Sequence, residues 1–334
     1  MKLEKFDDLV RIPERLYGGT SGPKIAVSYE NSIWMLKTYQ SARFYDNSAC
    51  GYDILSEYIG SSIYKLFGVP AQEVILGTYN DKLAVLCRDS AYPSRLYEFR
   101  EFRNSLFSED IIQSYTGMST EIDSIIQVIE LHPDIDTDET LKHFWTMFVF
   151  DTLIGNTDRG NDNWGLVYRN DKFVPYSVYD CGGCLRNRHS DDKIPNDLEP
   201  DTLKHSALGH TSKFTVNGKH VNPFDFLREV NCSYVNDALN LLTSEALVGV
   251  IAFLYKLIPI ISETRFEWYK ETLTLRFNEL LDIRVSKSSL SNIERYKKKY
   301  GISDDSFELD KDRLFNLFHV STIQELDKAI VNLL

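Results

Sequence analysis

The sequence predicts an α+β chain of two lobes, a small β-rich N-lobe and a larger, mainly helical C-lobe. Three observations carry that prediction. Alternating apolar residues dominate the first 90 positions, and helical spacing dominates from about residue 119 onward. The chain has 334 residues, 43% of them hydrophobic, which suffices for one large core or two ordinary ones. A polar turn after an apolar helix, Gly155-Asn156-Thr157-Asp158-Arg159-Gly160-Asn161-Asp162-Asn163, is followed two short strands later by Asp180. The expected divisions are residues 1–90 (N-lobe), 91–283 (C-lobe) and 284–334 (a helical C-terminal appendage).

The N-lobe begins with a glycine-rich turn, Tyr17-Gly18-Gly19-Thr20-Ser21-Gly22-Pro23-Lys24. Ile25, Val27 and Tyr29 alternate as a strand, Glu30-Asn31-Ser32 turns the chain, and Ile33–Tyr39 reads as the return strand. Lys37 lies inside that apolar strand. It is either an edge lysine reaching solvent or a phosphate-binding lysine beneath a loop whose glycines let backbone N–H groups approach phosphate. The loop lacks the GxxxxGK[ST] spacing of a Walker loop. Residues 50–67 have helical apolar spacing, ended by Gly68-Val69-Pro70. Glu57 on that helix is either a surface glutamate or the partner of Lys37. Strands at 73–78 and 83–87 lead to Arg88-Asp89-Ser90. That segment is placed as a hinge, with Arg88 and Asp89 expected beside a bound nucleotide.

The C-lobe opens with a helix near 119–129. The acidic run 134–139 supplies caps for the next helix, on which Leu141, Phe144, Trp145, Phe148, Val149 and Leu153 follow helical spacing. Strands at 164–168 and 172–176 then bring Asp180 back toward the polar turn. Residues 186–212 are polar and contain Pro195 and Pro200. They read as a mobile or substrate-side loop with solvated His189, His205 and His210. Helices are expected at 223–230, at 233–256 with a break near 244, and at 260–282. Residues 286–292 read as a linker or capped turn, and Thr322-Ile323-Gln324-Glu325 as a capping box.

Composition narrows the function. The net charge of −12 disfavours direct nucleic-acid binding, which wants a basic face. Residues 1–8 have no apolar signal-peptide core, and the most apolar run, 246–255, is too short to span a bilayer. A cytoplasmic protein is expected, with secretion as an effector without a signal peptide left open. Five scattered cysteines fit reduced thiols, and Cys181-x-x-Cys184 is one pair without the second that a zinc framework needs.

The chemistry resides in spacing. Asp158, an amide five residues on at Asn163, and Asp180 after a strand are the set that Mg²⁺-dependent phosphoryl transfer uses. One carboxylate accepts a hydroxyl proton, while the amide and the last carboxylate bind metal.

These motifs, in order, resemble the HipA-like serine/threonine kinases, in particular their compact CtkA branch. The resemblance runs over most of residues 15–283 and rests on the turn at 18–25, Trp34-Met35-Leu36-Lys37, residues 144–153, Gly155-Asn156-x-Asp158-Arg159, Asn163-Trp164-Gly165 and Tyr179-Asp180-Cys181. It implies a two-lobed protein-kinase-like fold with ATP and Mg²⁺ in the cleft. By that resemblance Lys37 matches the ATP lysine and Glu57 its helix partner, and Asp158 is the catalytic aspartate. Asn163 and Asp180 match the metal ligands, and Gly18, Gly19, Thr20, Ser21, Gly22 and Lys24 the phosphate loop. Asn156-Thr157-Asp158 stands where ordinary kinases have His-Arg-Asp, and Asp180-Cys181-Gly182 where they have Asp-Phe-Gly. The implied activity is transfer of the γ-phosphate to a protein serine or threonine, with autophosphorylation, and an antitoxin-like partner is a further implication. A nucleotide-holding pseudokinase or toxin–antitoxin binding module is the alternative, and a small-molecule hydroxyl is a third acceptor.

Overall fold

A computed structural model describes residues 3–18, 24–38, 52–106, 120–289, 292–318, 320, 326 and 330. Gly19, Thr20, Ser21 and Gly22 of the expected phosphate loop lie outside the described residues, as do Cys50 and the capping box at 322–325.

Six strands form the N-terminal sheet: β1 (Glu4–Lys5), β2 (Val10–Arg11), β3 (Lys24–Tyr29), β4 (Ser32–Thr38), β5 (Val74–Tyr79) and β6 (Lys82–Arg88). Their spatial order is β1-β5-β6-β4-β3-β2. β1 runs parallel to β5, and the remaining pairs are antiparallel. The hairpin turns at Glu30-Asn31 and Asn80-Asp81 both have positive φ at each central residue (46° and 58°; 51° and 58°). That geometry matches the right-handed strand twist. Because side chains alternate along a strand, Trp34 and Leu36 of β4 join Phe6, Val27, Ala84 and Leu86 in a small core on one face. Lys37 is therefore turned to the other face, in register with Lys24 of β3 and Val85 of β6.

That other face packs on helix α1 (Tyr52–Leu66). α1 buries Ile54, Leu55, Ile59 and Ile63 in the principal core, which continues without a break into the C-lobe through Phe144, Phe148 and Trp164. The two lobes thus share one core, and α1 sits at the join.

The C-lobe contains β7 (Leu96–Glu98), α2 (Phe99–Leu106), α3 (Ile122–Leu131) and α4 (Thr137–Ile154). The hairpin β8 (Gly165–Arg169) and β9 (Lys172–Pro175) adds to β7 in the order β7-β8-β9. Asp136 caps α4 by accepting the Glu139 N–H at 3.2 Å. α4 is buried on nearly every side, which fits its even apolar content. It ends at Gly155 with φ 64°, the left-handed cap that glycine adopts freely.

Residues 186–212 are not the loop that the sequence suggested. They form α5 (Ile194–Asp197) and α6 (Pro200–Leu208), both packed on the long helix Glu263–Ser289. Pro195 and Pro200 sit in first turns, where a missing N–H costs nothing, so they start helices here. His189 pairs with Asp197 and tilts over Trp268, and His210 packs edge-on to Phe224; of the three histidines only His205 is exposed.

A small hairpin, β10 (Thr215–Val216) with β11 (Lys219–His220), precedes α7 (Pro223–Glu229), α8 (Ser233–Asn240), α9 (Ser244–Tyr255) and α10 (Glu263–Ser289). α10 continues through residues 286–289, which the sequence suggested as a linker or turn. α11 (Asn292–Tyr300) and α12 (Asp304–Phe318) follow, with a separate cluster around Ile293, Phe307, Leu326 and Ile330. Among the described residues no single helix is long and apolar enough to cross a membrane.

Candidate active site

Strand alternation and the α1 packing meet at Lys37. Its Nζ lies 2.7 Å from Glu57 Oε2 and 3.2 Å from Asp180 Oδ1. The other Glu57 oxygen accepts the Cys181 N–H at 3.2 Å. Glu57 is 1% exposed. One buried carboxylate therefore ties β4 to the turn that carries Asp180. The end of that segment is tied to the N-lobe as well, since Gln72 N–H donates to Val178 O at 2.7 Å.

The electrostatics follow from this geometry. Burial alone would discharge Lys37, but Asp180 and Glu57 outweigh it and hold its pKa well above the ordinary lysine value. Burial pushes Asp180 up, and Lys37, Lys24 and Arg159 together bring it below the ordinary carboxylate value. Lys24, beside Lys37 on the neighbouring strand, is lowered by burial and then by repulsion from Lys37; its Nζ donates to Gly18 O at 2.9 Å.

The polar turn after α4 is built on a buried hub. Arg159, 1% exposed, donates to Asp151 through Nε (2.7 Å) and Nη2 (3.1 Å). Asp151 Oδ1 also accepts from Tyr64 OH at 2.9 Å and Asn156 Nδ2 at 3.1 Å. Arg159 Nη1 reaches on to the carbonyls of Asn163 (2.6 Å) and Tyr179. A single guanidinium thus fixes the backbone at Asn163 and immediately before Asp180. Trp164, fully buried and stacked on Phe99 with centroids 4.1 Å apart, anchors the far end of the turn.

Asp158 stands outside this network. Its side chain is 69% exposed, and among the described residues its one polar partner is Lys213 Nζ, 3.1 Å from Oδ1. Asn163 Nδ2 donates to the Asp158 carbonyl at 2.7 Å, and among the described residues no donor reaches Asn163 Oδ1. The turn 180–183 bridges the two groups. A Cβ added at Gly182 would lie 3.4 Å from Glu57 Oε2, and one at Gly183 would lie 2.8 Å from Asp158 Cβ. Gly183 is therefore a close-approach glycine, and the approach brings Asp158 against the Asp180 segment.

The structure therefore gathers Lys37, Glu57, Asp180 and Lys24 around one point, with Asp158 and Asn163 on the adjoining turn. It does not join Arg88 or Asp89 to them by any hydrogen bond among the described residues. Arg88 pairs with Glu73 at 2.8 Å, and Asp89 takes Arg15 Nε at 2.7 Å and Tyr17 OH at 2.9 Å. Asp89 thereby fastens the segment leading into the glycine turn. Cys181 and Cys184 are buried against α1; burial, opposed by Arg159 and assisted by Glu57 and Asp151, pushes Cys181 up to about 12, so its thiol stays protonated. Sequence reading missed Lys213, which lies 55 residues beyond Asp158 and in no motif. It also missed the hub role of Asp151 and Arg159, although the i, i+8 placement of an acid and an arginine around a helix end was visible.

No family profile matches the chain. The chain is 26% identical over 302 residues to the serine/threonine-protein kinase CtkA of Helicobacter pylori strain J99, covering 88% of this chain and 92% of that protein. The crystal structure of the H. pylori proinflammatory kinase CtkA superposes with a TM-score of 0.79, over 87% of this chain and 99% of the other. The toxin HipA of Shewanella oneidensis MR-1, solved with HipB and operator DNA, reaches a TM-score of only 0.44 at 13% identity over 80% of this chain and 65% of that one, too low to bear on function. In sequence over most of its length, and in its kinase-like α+β fold, the chain is similar to the serine/threonine kinase CtkA, the branch of HipA-like kinases that its motifs resemble.

Proposed function

We propose that the protein is a serine/threonine protein kinase that uses ATP with Mg²⁺ and acts through Lys37, Asp158, Asn163 and Asp180. The observation that carries this reading is the buried lysine held between a helix glutamate and a turn aspartate, 2.7 and 3.2 Å away, next to an open carboxylate. Lys37, with Lys24 beside it, would hold the ATP phosphates, and Glu57 keeps Lys37 charged and aimed. The donor set fits Mg²⁺: Asn163 Oδ1 is uncommitted and Asp180 offers a carboxylate, hard oxygen donors that suit this ion. Bound there, the metal would neutralise charge on the phosphoryl oxygens.

Asp158 faces solvent, where an acceptor hydroxyl can reach it. It would orient that hydroxyl and take its proton as the oxygen bonds to the γ-phosphorus. The bond from the γ-phosphorus to the bridging oxygen breaks, and ADP leaves. Lys213, touching Asp158, would place positive charge where the phosphoryl group crosses. The acceptor is a protein serine or threonine, on another protein or on this chain. An antitoxin-like protein partner is a separate part of the expectation and requires its own binding assay.

The test is label transfer from γ-labelled ATP to the protein itself or a generic protein acceptor. Wild type is expected to label and Asp158→Asn is not. Equal labelling of the two overturns the assignment. Nucleotide-dependent thermal stabilisation without transfer to any acceptor would favour the pseudokinase reading.

A further inference from the structure

Among the described residues, three arginines of the C-lobe are buried: Arg159, Arg265 and Arg276, none more than 1% exposed. Two have carboxylates. Arg159 pairs with Asp151, and Arg265 pairs with Asp191. Arg276, on α10, has none among the described residues. Its Nε donates to Ala207 O at 2.9 Å, and its Nη1 is buried without a hydrogen-bond partner among the described residues. Burial lowers its pKa to about 10, with Cys184 opposing and Arg186 adding to that shift. A charged guanidinium with a buried, unpartnered N–H and no counter-ion is an unstable arrangement unless something anionic reaches it.

Arg276 lines a cavity of about 350 Å³. The cavity lies between α6, α10 and the two active-site turns, and Gly155, Thr157, Gly183, Arg186, Asn187 and Thr202 also border it. Gly155 is needed there, since a Cβ would meet the Arg276 guanidinium at 2.4 Å. The polar groups are mostly donors: a second arginine, an amide, and the hydroxyls of Thr157, Thr202 and Ser206. Asp197 is the one carboxylate on the wall, and it is engaged by His189 and by Arg186 at 3.6 Å. His210, also on the wall, is held neutral by burial and then by Arg276, its pKa lowered to about 3. The volume lies at the small end of ligand sites, which run from roughly 300 to 1,000 Å³.

We propose that this cavity binds a phosphate-class oxyanion, either free phosphate or a small phosphomonoester, on the Arg276 guanidinium. A planar fork with an unused N–H is the group that grips tetrahedral oxyanions, and hydroxyl and amide donors complete such sites. The site contains none of Lys37, Lys24 and Glu57. Its occupant would rest on Thr157, next to Asp158, and on Gly183, which follows Asp180 in the chain, so it touches both active-site turns.

The test is calorimetric titration of the full chain with inorganic phosphate and, separately, with O-phosphoserine, at matched ionic strength, with acetate as the control anion. Saturable one-site binding is expected in wild type and in Lys37→Met, and at least tenfold weaker binding in Arg276→Gln. O-phosphoserine binding as tight as phosphate identifies a phosphomonoester site, and phosphate binding alone identifies a free-ion site. If circular dichroism shows Arg276→Gln unfolded, the rim variant Arg186→Gln is read instead, with a several-fold loss expected. No saturable binding, equal binding of acetate, unchanged affinity in the folded arginine variant, or loss in Lys37→Met alone would each overturn the proposal.

Discussion

The two halves of the site are built in opposite ways. Lys37 is 11% exposed, clamped by two carboxylates, and bound through Glu57 to the backbone at Cys181. Asp158 is 69% exposed and held by one surface lysine. Under the proposed function, the difference follows from what each would have to do. Phosphate-holding groups gain from being fixed before the ligand arrives, because their ordering cost is met during folding. A base that receives a protein hydroxyl must stay open to it. The turn 180–183 runs from Glu57 to Asp158 and would serve both demands, with Gly183 allowing close approach at the Asp158 end.

That contrast predicts where stability and activity separate. The largest effect on stability is expected from Glu57→Ala, which strands Lys37 and removes the acceptor of the Cys181 N–H. Breaking a buried pair costs about 3–5 kcal/mol, read as a fall in unfolding free energy in urea. Lys213→Met, at the open half, is expected to change stability by no more than about 0.5 kcal/mol. It should slow phosphotransfer by about tenfold or more with little change in nucleotide affinity. Equal losses of stability in the two variants would erase the distinction between the halves. Gly183→Ala sharpens it. A Cβ there meets Asp158 Cβ at 2.8 Å, so the turn must shift, and the turnover number should fall more than nucleotide affinity.

The smallest effect is on pH dependence, and it comes from behind the buried half. His143 is half-buried beside the Trp164 ring; burial of the imidazole first, and then Arg159, lower its pKa to about 4. The unfolded chain takes up that proton near the ordinary histidine value of about 6.5. The stabilisation is therefore complete above about pH 6.5 and is lost as pH falls toward 4. Asp180, also held below its ordinary value, adds stability that is lost only at lower pH. Lys37, raised, is fully stabilising below its ordinary value and loses its contribution as pH rises through the folded one. The urea midpoint should hold steady from pH 8 to 7 and decline below about 6.5. His143→Phe should lessen that decline, the remainder coming from His210 and His189, which burial also holds below the ordinary histidine value, and an unchanged slope would count against the assignment.

Much of the site was legible because its parts are local. Lys37 sits at a fixed parity in a strand, Glu57 at a helix position, and Asp158 and Asn163 five residues apart on one turn. Periodicity and spacing report such features directly. Lys213 and Arg276 were not legible, because each meets the active-site turns through the packing of distant elements. The segment 186–212 was misread for another reason. Polarity and two prolines suggested a loop, yet those prolines occupy helix first turns, and the apolar Ile194, Leu203 and Ala207 are spaced to bury against α10. His189 and His210, expected in solvent, were carried inward with those helices.

The central claim is that the buried half holds nucleotide and the open half performs the transfer. It is tested most directly by measuring Mg·ATP-analogue affinity and label transfer from γ-labelled ATP in parallel for wild type, Asp158→Asn and Lys37→Met. The account predicts that Asp158→Asn binds the analogue as wild type does and transfers label about 10²–10⁴-fold more slowly, while Lys37→Met loses affinity. Transfer by Asp158→Asn at the wild-type rate would contradict it.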